Sequence, residues 1–296
     1  MLGTAVALFT ALAWAGSSVL IKLLTVRIDT LTINTLRLWA GSLLLLAFVL
    51  LSGRSEALIG TPMVPALLVT ASGVIAVAIG DTLYIKSLSI LDVSRAFPIA
   101  QCSFPVMTAF VAVLLLGESF SWGLAAGSAL VPAGIYLIAV GGRRSRATAP
   151  QVAGAARGVA LALVAALTWT IAAAALKMAV TGMDTFVAAA IRIPAAAAIV
   201  SLLAFGNRQR GALRFRSYGT QTIALAALAG VLTYGVAAVG YVSAMQMIGA
   251  AKTVILTATA PLLALPLSIL VLGERPTRHA LAGMLLCVGG VYLVVS

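Results

Sequence analysis

Apolar residues run along this chain in long, almost unbroken stretches, without the two-residue alternation of a half-buried strand. Ten stretches can be read, at about 2–24, 30–52, 63–90, 93–116, 120–141, 157–179, 184–205, 218–247, 250–272 and 277–295. With a rise of ~1.5 Å per residue, each reaches across a ~30 Å hydrocarbon core if it is helical. A helix is expected for each, because a helix satisfies its own backbone groups where lipid supplies no partner. Most breaks between stretches are short; 142–156 and 206–217 are the most polar. The expected fold class is an all-α polytopic membrane protein with ten transmembrane helices.

The stretches repeat. Gly3, Trp14, Lys22, Asp29, Thr30 and Arg37 recur 155 positions later as Gly158, Trp169, Lys177, Asp184, Thr185 and Arg192. Gly73, Val74 and Tyr84 recur 157 positions later as Gly230, Val231 and Tyr241. Pro105, Gly117, Glu118, Gly127, Gly134 and Tyr136 recur 156 positions later as Pro261, Gly273, Glu274, Gly283, Gly290 and Tyr292. Recurrence of Trp, Arg, Pro and Glu in register is not a product of apolar bias. The chain therefore reads as a first five-helix repeat at 1–141, a basic loop at 142–156 and a second five-helix repeat at 157–296. Five is odd, so the second copy enters the membrane from the opposite side, giving the inverted repeat found in many alternating-access transporters.

Composition excludes the alternatives. Of 296 residues, 62% are hydrophobic and 9% charged, against ~45–50% and ~25% in a soluble domain. Disorder is excluded on the same ground. Residues 2–24 are too long for a signal peptide and lack its cleavage pattern. The net charge of +12 would suggest nucleic acid in a soluble protein, but here its distribution reports orientation. Arg143, Arg144, Arg146 and Arg157 flank the first repeat, and Arg208, Arg210, Arg214 and Arg216 fill the 206–217 loop, with no acid in either. Arg27, Arg275 and Arg278 fall on the same side, Arg54 on the other. The positive-inside rule then makes the basic loops cytoplasmic and puts both termini outside.

A charge deep in an apolar helix costs roughly 2.5–3.5 kcal/mol at the bilayer centre and so needs a reason. Arg37 and Arg192 lie about eight residues into the second and seventh stretches; each reads as a clamp for a carboxylate or phosphate, or as a helix anchor. Asp81 reads as a proton carrier, as the partner of Lys86 or an arginine, or as a contact for a substrate amine. Arg95 and Lys252 are repeat mates near helix ends, read as snorkelling cations or as gate residues, one at each mouth. Trp14 and Trp169 lie mid-helix, where they either wall a cavity or pack the core. Tyr84, Tyr234 and Tyr241, with Gln101 and its mate Thr257, add hydrogen-bonding groups suited to a polar metabolite. Pro98 and Pro105 in the fourth stretch, and Pro261 and Pro266 in the ninth, are expected to kink those helices as hinges or as fixed shape. Glu118 and Glu274 each follow a glycine, reading as a tight turn with the acid at the start of the next helix. Gly123 and Gly127 have the spacing of a close helix contact, which leaves a homodimer face open. Cys102 and Cys287 read as small packing residues. One histidine, His279, makes no metal site, and no cofactor is expected. No GxxxxGK[ST] loop is present, so the chain shows no ATP engine.

Taken in order, Trp14-Ala-Gly-Ser-Ser through Lys22, Leu36-Arg37-Leu38 and Leu116-Gly117-Glu118, then Trp169 through Lys177, Ile191-Arg192-Ile193 and Leu272-Gly273-Glu274, resemble the EamA family of the drug/metabolite transporter superfamily. The resemblance implies a ten-helix bacterial inner-membrane carrier, often an exporter of amino acids or related compounds, and not an enzyme. It also implies cytoplasmic termini, where the arginine count argues the reverse. The expected partners are a small-molecule substrate and the bilayer, with no nucleic acid. The substrate cavity is expected between the halves, walled mainly by the first, third, fourth, sixth, eighth and ninth helices. A carrier of organic anions or phosphorylated metabolites is the next reading, and a non-transporting receptor or structural subunit the reading from another class.

The charge distribution yields one direct test. A cysteine introduced at Arg210 is expected to resist an impermeant thiol label in intact cells and to react once the membrane is permeabilised.

Overall fold

A computed structural model of the chain describes residues 1–116, 122–141, 149–179, 183–206, 218–248 and 250–295. Its helices are α1 Leu2–Thr25, α2 Thr30–Leu51, α3 Met63–Ile90, α4 Val93–Leu116, α5 Trp122–Gly141, α6 Ala149–Ala179 and α7 Thr185–Gly206. They are followed by α8 (Thr220–Gly230, Val231–Ala237 and Ala238–Ile248), α9 (Ala250–Thr257 and Ala260–Leu272) and α10 (Arg278–Val295). A five-residue helix, Ser55–Ile59, sits between α2 and α3. Among the described residues there is no strand, and seven helices are long and apolar enough to cross a membrane: α1, α2, α3, α5, α6, α7 and α8.

The repeat is visible in local structure. Asp29 starts α2 by accepting a hydrogen bond from the Thr32 amide at 3.0 Å, and its mate Asp184 starts α7 by accepting from Phe186 and Val187 at 2.8 and 3.2 Å. Each capping carboxylate satisfies amides that have no partner inside the helix. Asp184 also holds Arg54 Nε at 3.0 Å, while the Arg54 guanidinium lies over the rings of Phe48 and Phe186. α3 and α8 both loosen mid-length into a wider π-helical turn, Val74–Gly80 and Val231–Ala237, at matching positions. Such turns insert a residue and re-aim the side chains beyond them, often at functional sites.

Packing joins the halves crosswise. α1 packs on α8 and α9, and its mate α6 packs on α3 and α4; α2 lies along α7, and α5 along α10. Single contacts obey the same rule. Ser17 Oγ donates to the Ala229 carbonyl at 3.0 Å, and Ser72 Oγ to the Ala172 carbonyl at 2.9 Å. Gly73 lies against the Arg192 backbone, where a Cβ would stand 2.6 Å from the carbonyl oxygen, and Gly230 lies as tightly against the Arg37 backbone. Gly127 meets Gly290, and Gly134 meets Gly283. Residue i touching the mate of j while j touches the mate of i is what a two-fold relation between halves produces. Gly127 is thereby used within the chain, against α10, and is not free to make a dimer face.

The side chains are distributed as lipid demands. The buried apolar set is dominated by alanine, while Leu43, Leu50, Leu202, Leu203 and Phe205 face outward. Small residues let helices approach where no hydrophobic force drives them together, and large ones meet the lipid tails.

Three expectations change. α6 begins at Ala149, not 157, because the expected loop ends in an alanine-rich run with high helix propensity; residues 142–148, with Arg143, Arg144 and Arg146, and 207–217, with the four arginines of that loop, lie outside the described residues. Pro98 and Pro105 are carried inside an unbroken α4, whereas α9 breaks at Ala258 and Thr259. Pro261 then falls in the first turn of the second piece, where the missing amide costs no bond, and Pro266 lies inside that piece. The break thus comes in one half only.

The glycine contacts give a stability prediction. Gly134→Leu should lower stability by ~1–3 kcal/mol through overpacking. Leu285→Ala, on the outer face of α10 where the leucine is 62% exposed, should stay within ~0.5 kcal/mol. Thermal unfolding in detergent reads both.

Candidate functional site

Inside the helix bundle, beside the π-helical turns, the chain buries an ion pair. Arg37 of α2 and Asp81 of α3 stand 3.8 Å apart, with 3% and 13% of their side-chain surfaces exposed. Asp81 follows directly on the Val74–Gly80 turn. Its carboxylate also accepts hydrogen bonds from Trp169 Nε1 of α6, at 3.0 Å, and from the Tyr234 hydroxyl of α8. One half therefore supplies the charges and the other supplies two neutral donors. Arg37 donates to Asn34 Oδ1 at 3.3 Å and to Thr233 Oγ1 at 3.2 Å, and lies over the Tyr234 ring. Asn34 in turn donates to the Val77 carbonyl and the Thr82 hydroxyl, at 3.1 and 2.9 Å. Thr233 shares a hydrogen bond with Ser17, at 2.7 Å. A chain of polar contacts thus crosses from α1 through α8 to α2 and α3. The partner of Asp81 is this arginine; Lys86 is exposed on α3.

Two aromatic pairs flank the cluster. Trp14 and Tyr241 have ring centroids 5.5 Å apart, and Tyr84 and Trp169 5.6 Å apart, again a crosswise exchange of mates. The Tyr84 hydroxyl donates to Ser18 at 2.9 Å, and Phe97 and Phe104 complete the aromatic surroundings of Tyr84 and Trp169. Trp169 thus packs among aromatic rings while its indole N–H binds Asp81.

Arg192 differs from its mate. The buried Nε of each lacks a hydrogen-bond partner, but among the described residues the ion pairs are Arg37–Asp81 and Arg54–Asp184, so the difference lies in the counter-ion. Asp81 and Tyr234 are the groups whose charge it feels. The second half has Ala238 where the first has Asp81, and Ala189 where it has Asn34. The arginine recurs without its carboxylate.

The remaining candidates lie apart. Arg95 donates from its terminal nitrogen to the Ala139 carbonyl at 3.2 Å, closing the end of α5; the side chain of its mate Lys252 is outside the described positions. Thr257 returns its hydroxyl to Thr253 and Val254 of its own helix, so it offers no donor to a ligand. Gln101 is half-buried on α4. Glu274 does not cap its own next helix: its two carboxylate oxygens accept the amides of Val93 and Ser94, at the start of α4. Gly273, at φ 67°, makes the tight turn that was expected, and the turn directs the acid across to the other half. Glu118 is outside the described residues. Sequence reasoning missed Asn34 and Thr233. Asn34 was findable, standing three residues before Arg37 and so on its helix face.

The family model for the EamA-like transporter family matches residues 1–140 and 156–296, which are the two repeats. Among curated proteins, none matches. Among solved structures, one described only as "Crystal structure of protein" is 21% identical, covers 98% of this chain and 95% of its own, and superimposes with a TM-score of 0.68. That likeness is one of fold.

The cluster makes a sharp stability prediction. Asp81→Asn leaves Arg37 buried without its counter-ion and should cost about 3 kcal/mol, and replacing both by Asn and Met should restore most of it. Tyr234→Phe removes one donor to a charged acceptor and should cost about 1.5–3 kcal/mol. Thermal unfolding of the four proteins, wild type included, separates these outcomes.

Proposed function

Because the chain belongs to the EamA-like transporter family, an integral-membrane transporter family of two repeats, we propose that it is a secondary carrier of small polar metabolites bearing a carboxylate, with amino acids as the leading class. In this reading ten helices cross the membrane as two inverted five-helix units. The crosswise contacts of repeat mates support that arrangement. Rocking of one unit against the other then exposes a central site to each side in turn. The membrane is a bacterial inner membrane, and the basic loops at 142–157 and 206–217 are cytoplasmic.

The observation that carries the proposal is the inequality of the two arginines. Arg37 is matched by Asp81 and held by Asn34 and Thr233. Arg192 has no such partner among the described residues. The cluster of Arg37, Asp81 and Arg192 therefore carries one excess positive charge. A buried cation without a counter-ion is costly, and a ligand that supplies one is bound in proportion to that cost. A carboxylate reaching Arg192 completes the set. The ammonium of an amino acid would face the aromatic surfaces of Trp14 and Trp169, which attract cations. Tyr84, Tyr241 and Gln101 complete the polar lining in this reading. A substrate lacking the ammonium, an organic anion or a phosphorylated metabolite, is the second reading; the excess charge favours it equally.

Counterflow in proteoliposomes distinguishes the two. Labelled amino acids, dicarboxylates and sugar phosphates are offered to wild type, Arg192→Lys and Arg192→Ala. Saturable flux of one class is expected, falling roughly tenfold or more in Arg192→Ala, as for loss of a charge-assisted bond, and less in Arg192→Lys. Unaltered affinity in Arg192→Ala would overturn the role of Arg192; saturable binding without flux would identify a receptor.

A further inference from the structure

At one end of the helix bundle the short turn through Leu91 and Asp92 joins α3 to α4. Two sets of unpaired backbone groups meet there: the last carbonyls of α3 and the first amides of α4. A cation suits the first and an anion the second. The chain supplies both from elsewhere. Lys22 Nζ, near the end of α1, donates to the carbonyls of Leu88 and Leu91 at 2.8 and 2.7 Å. Glu274, from the turn between α9 and α10, accepts the amides of Val93 and Ser94 at 2.7 and 3.0 Å, one on each carboxylate oxygen.

The two contacts differ in what they join. Lys22 and the α3–α4 turn belong to the same half, so the lysine travels with the turn. Glu274 belongs to the other half, 180 residues from Ser94 along the chain. Its own turn is rigid: Gly273 takes a left-handed conformation, and the Glu274 amide donates back to the Ser268 carbonyl at 3.3 Å. Another bond crosses the halves nearby, from Ser87 Oγ to the Gly158 carbonyl at 2.8 Å. Among the described residues, the Glu274 carboxylate is the charged group whose hydrogen bonds tie the halves at this end.

We propose that Lys22 and Glu274 form the gate at this mouth of the carrier. With both amides on the carboxylate, the start of α4 is pinned to the α9–α10 turn and the mouth is shut. Release of Glu274 frees the two halves to part here, while Lys22 keeps the α3–α4 turn intact as a unit. The gate is thus a carboxylate on a helix end, held by two backbone amides of the other half. In sequence the pair recurs in the other half as Lys177 and Glu118.

The test needs no substrate, so its outcome is independent of the carrier's ligand. Ser94→Cys, a buried site whose backbone amide remains, is labelled with an impermeant maleimide in sealed vesicles of each orientation, alone and combined with Glu274→Gln, Glu274→Ala or Glu274→Asp. Removing the carboxylate should speed labelling about tenfold, the factor for losing a charge-assisted hydrogen-bond pair, from one membrane face only. Glu274→Asp should fall between. The native Cys102 and Cys287, both buried, report general loosening. Equal gains at those cysteines, labelling from both faces, or no gain at all would overturn the gate. If Ser94→Cys does not fold, Leu91→Cys, buried in the α3–α4 turn itself, gives the same readout.

Discussion

The structure is organised around a charge that lipid will not accept alone. Once Asp81 is buried inside the bundle on α3, a cation must stand beside it, and Arg37 does. The carboxylate still has lone pairs to satisfy, and these draw Trp169 and Tyr234 from the other half. Arg37 has donors to place, and these draw Asn34 and Thr233. For the helices to come close enough, Gly230 must be bare against the Arg37 backbone. Each requirement follows from the one before it, and together they fix the register of α2, α3, α6 and α8. The ion pair itself adds little net stability, because burying both ions costs about what their attraction returns. What it supplies is geometry.

The scaffold is symmetric and the chemistry is not. Caps, π-helical turns, glycine contacts and aromatic pairs all recur between halves. The acid and its amide neighbour do not: Asp81 and Asn34 face alanines at their mates' positions, and Tyr234 answers to Val77. The duplicated frame places an arginine in each half, holding Arg37 in a closed network and leaving Arg192 without a counter-ion among the described residues. In sequence, a lysine and a glutamate also recur in each half, Lys22 and Glu118 in the first and Lys177 and Glu274 in the second. In the proposed carrier, symmetric features serve the movement common to both halves, and asymmetric ones serve the ligand.

Much of this was legible in the sequence because it rests on spacing. Offsets of 155 to 157 positions gave the two repeats and hence which residues are mates. Depth within an apolar run singled out Arg37, Asp81 and Arg192. Pairing was not legible. Asp81 lies close in sequence to Lys86 and far from Tyr234, yet helical geometry turns the former outward and crosswise packing brings the latter in. The same limit hid the role of Glu274, since its turn could be read locally but the helix end it reaches could not. Thr257 and its neighbours mislead for the opposite reason: a hydroxyl in an apolar helix satisfies itself on the carbonyl one turn back.

Crosswise packing also bears on how such a chain is made. α1 finds its main neighbours in α8 and α9, and α3 and α4 find theirs in α6. When the last residue of the first five helices is added to the chain, those neighbours are still untranslated. At ~5–20 residues per second, the second half takes roughly seven to thirty seconds to arrive. During that interval the indole and phenol that will bind Asp81 do not yet exist, and the glycine faces of the first half lie open to lipid. The nascent half is therefore a client for whatever chaperones unpaired helices within the bilayer, and the halves complete one another only at the end of synthesis.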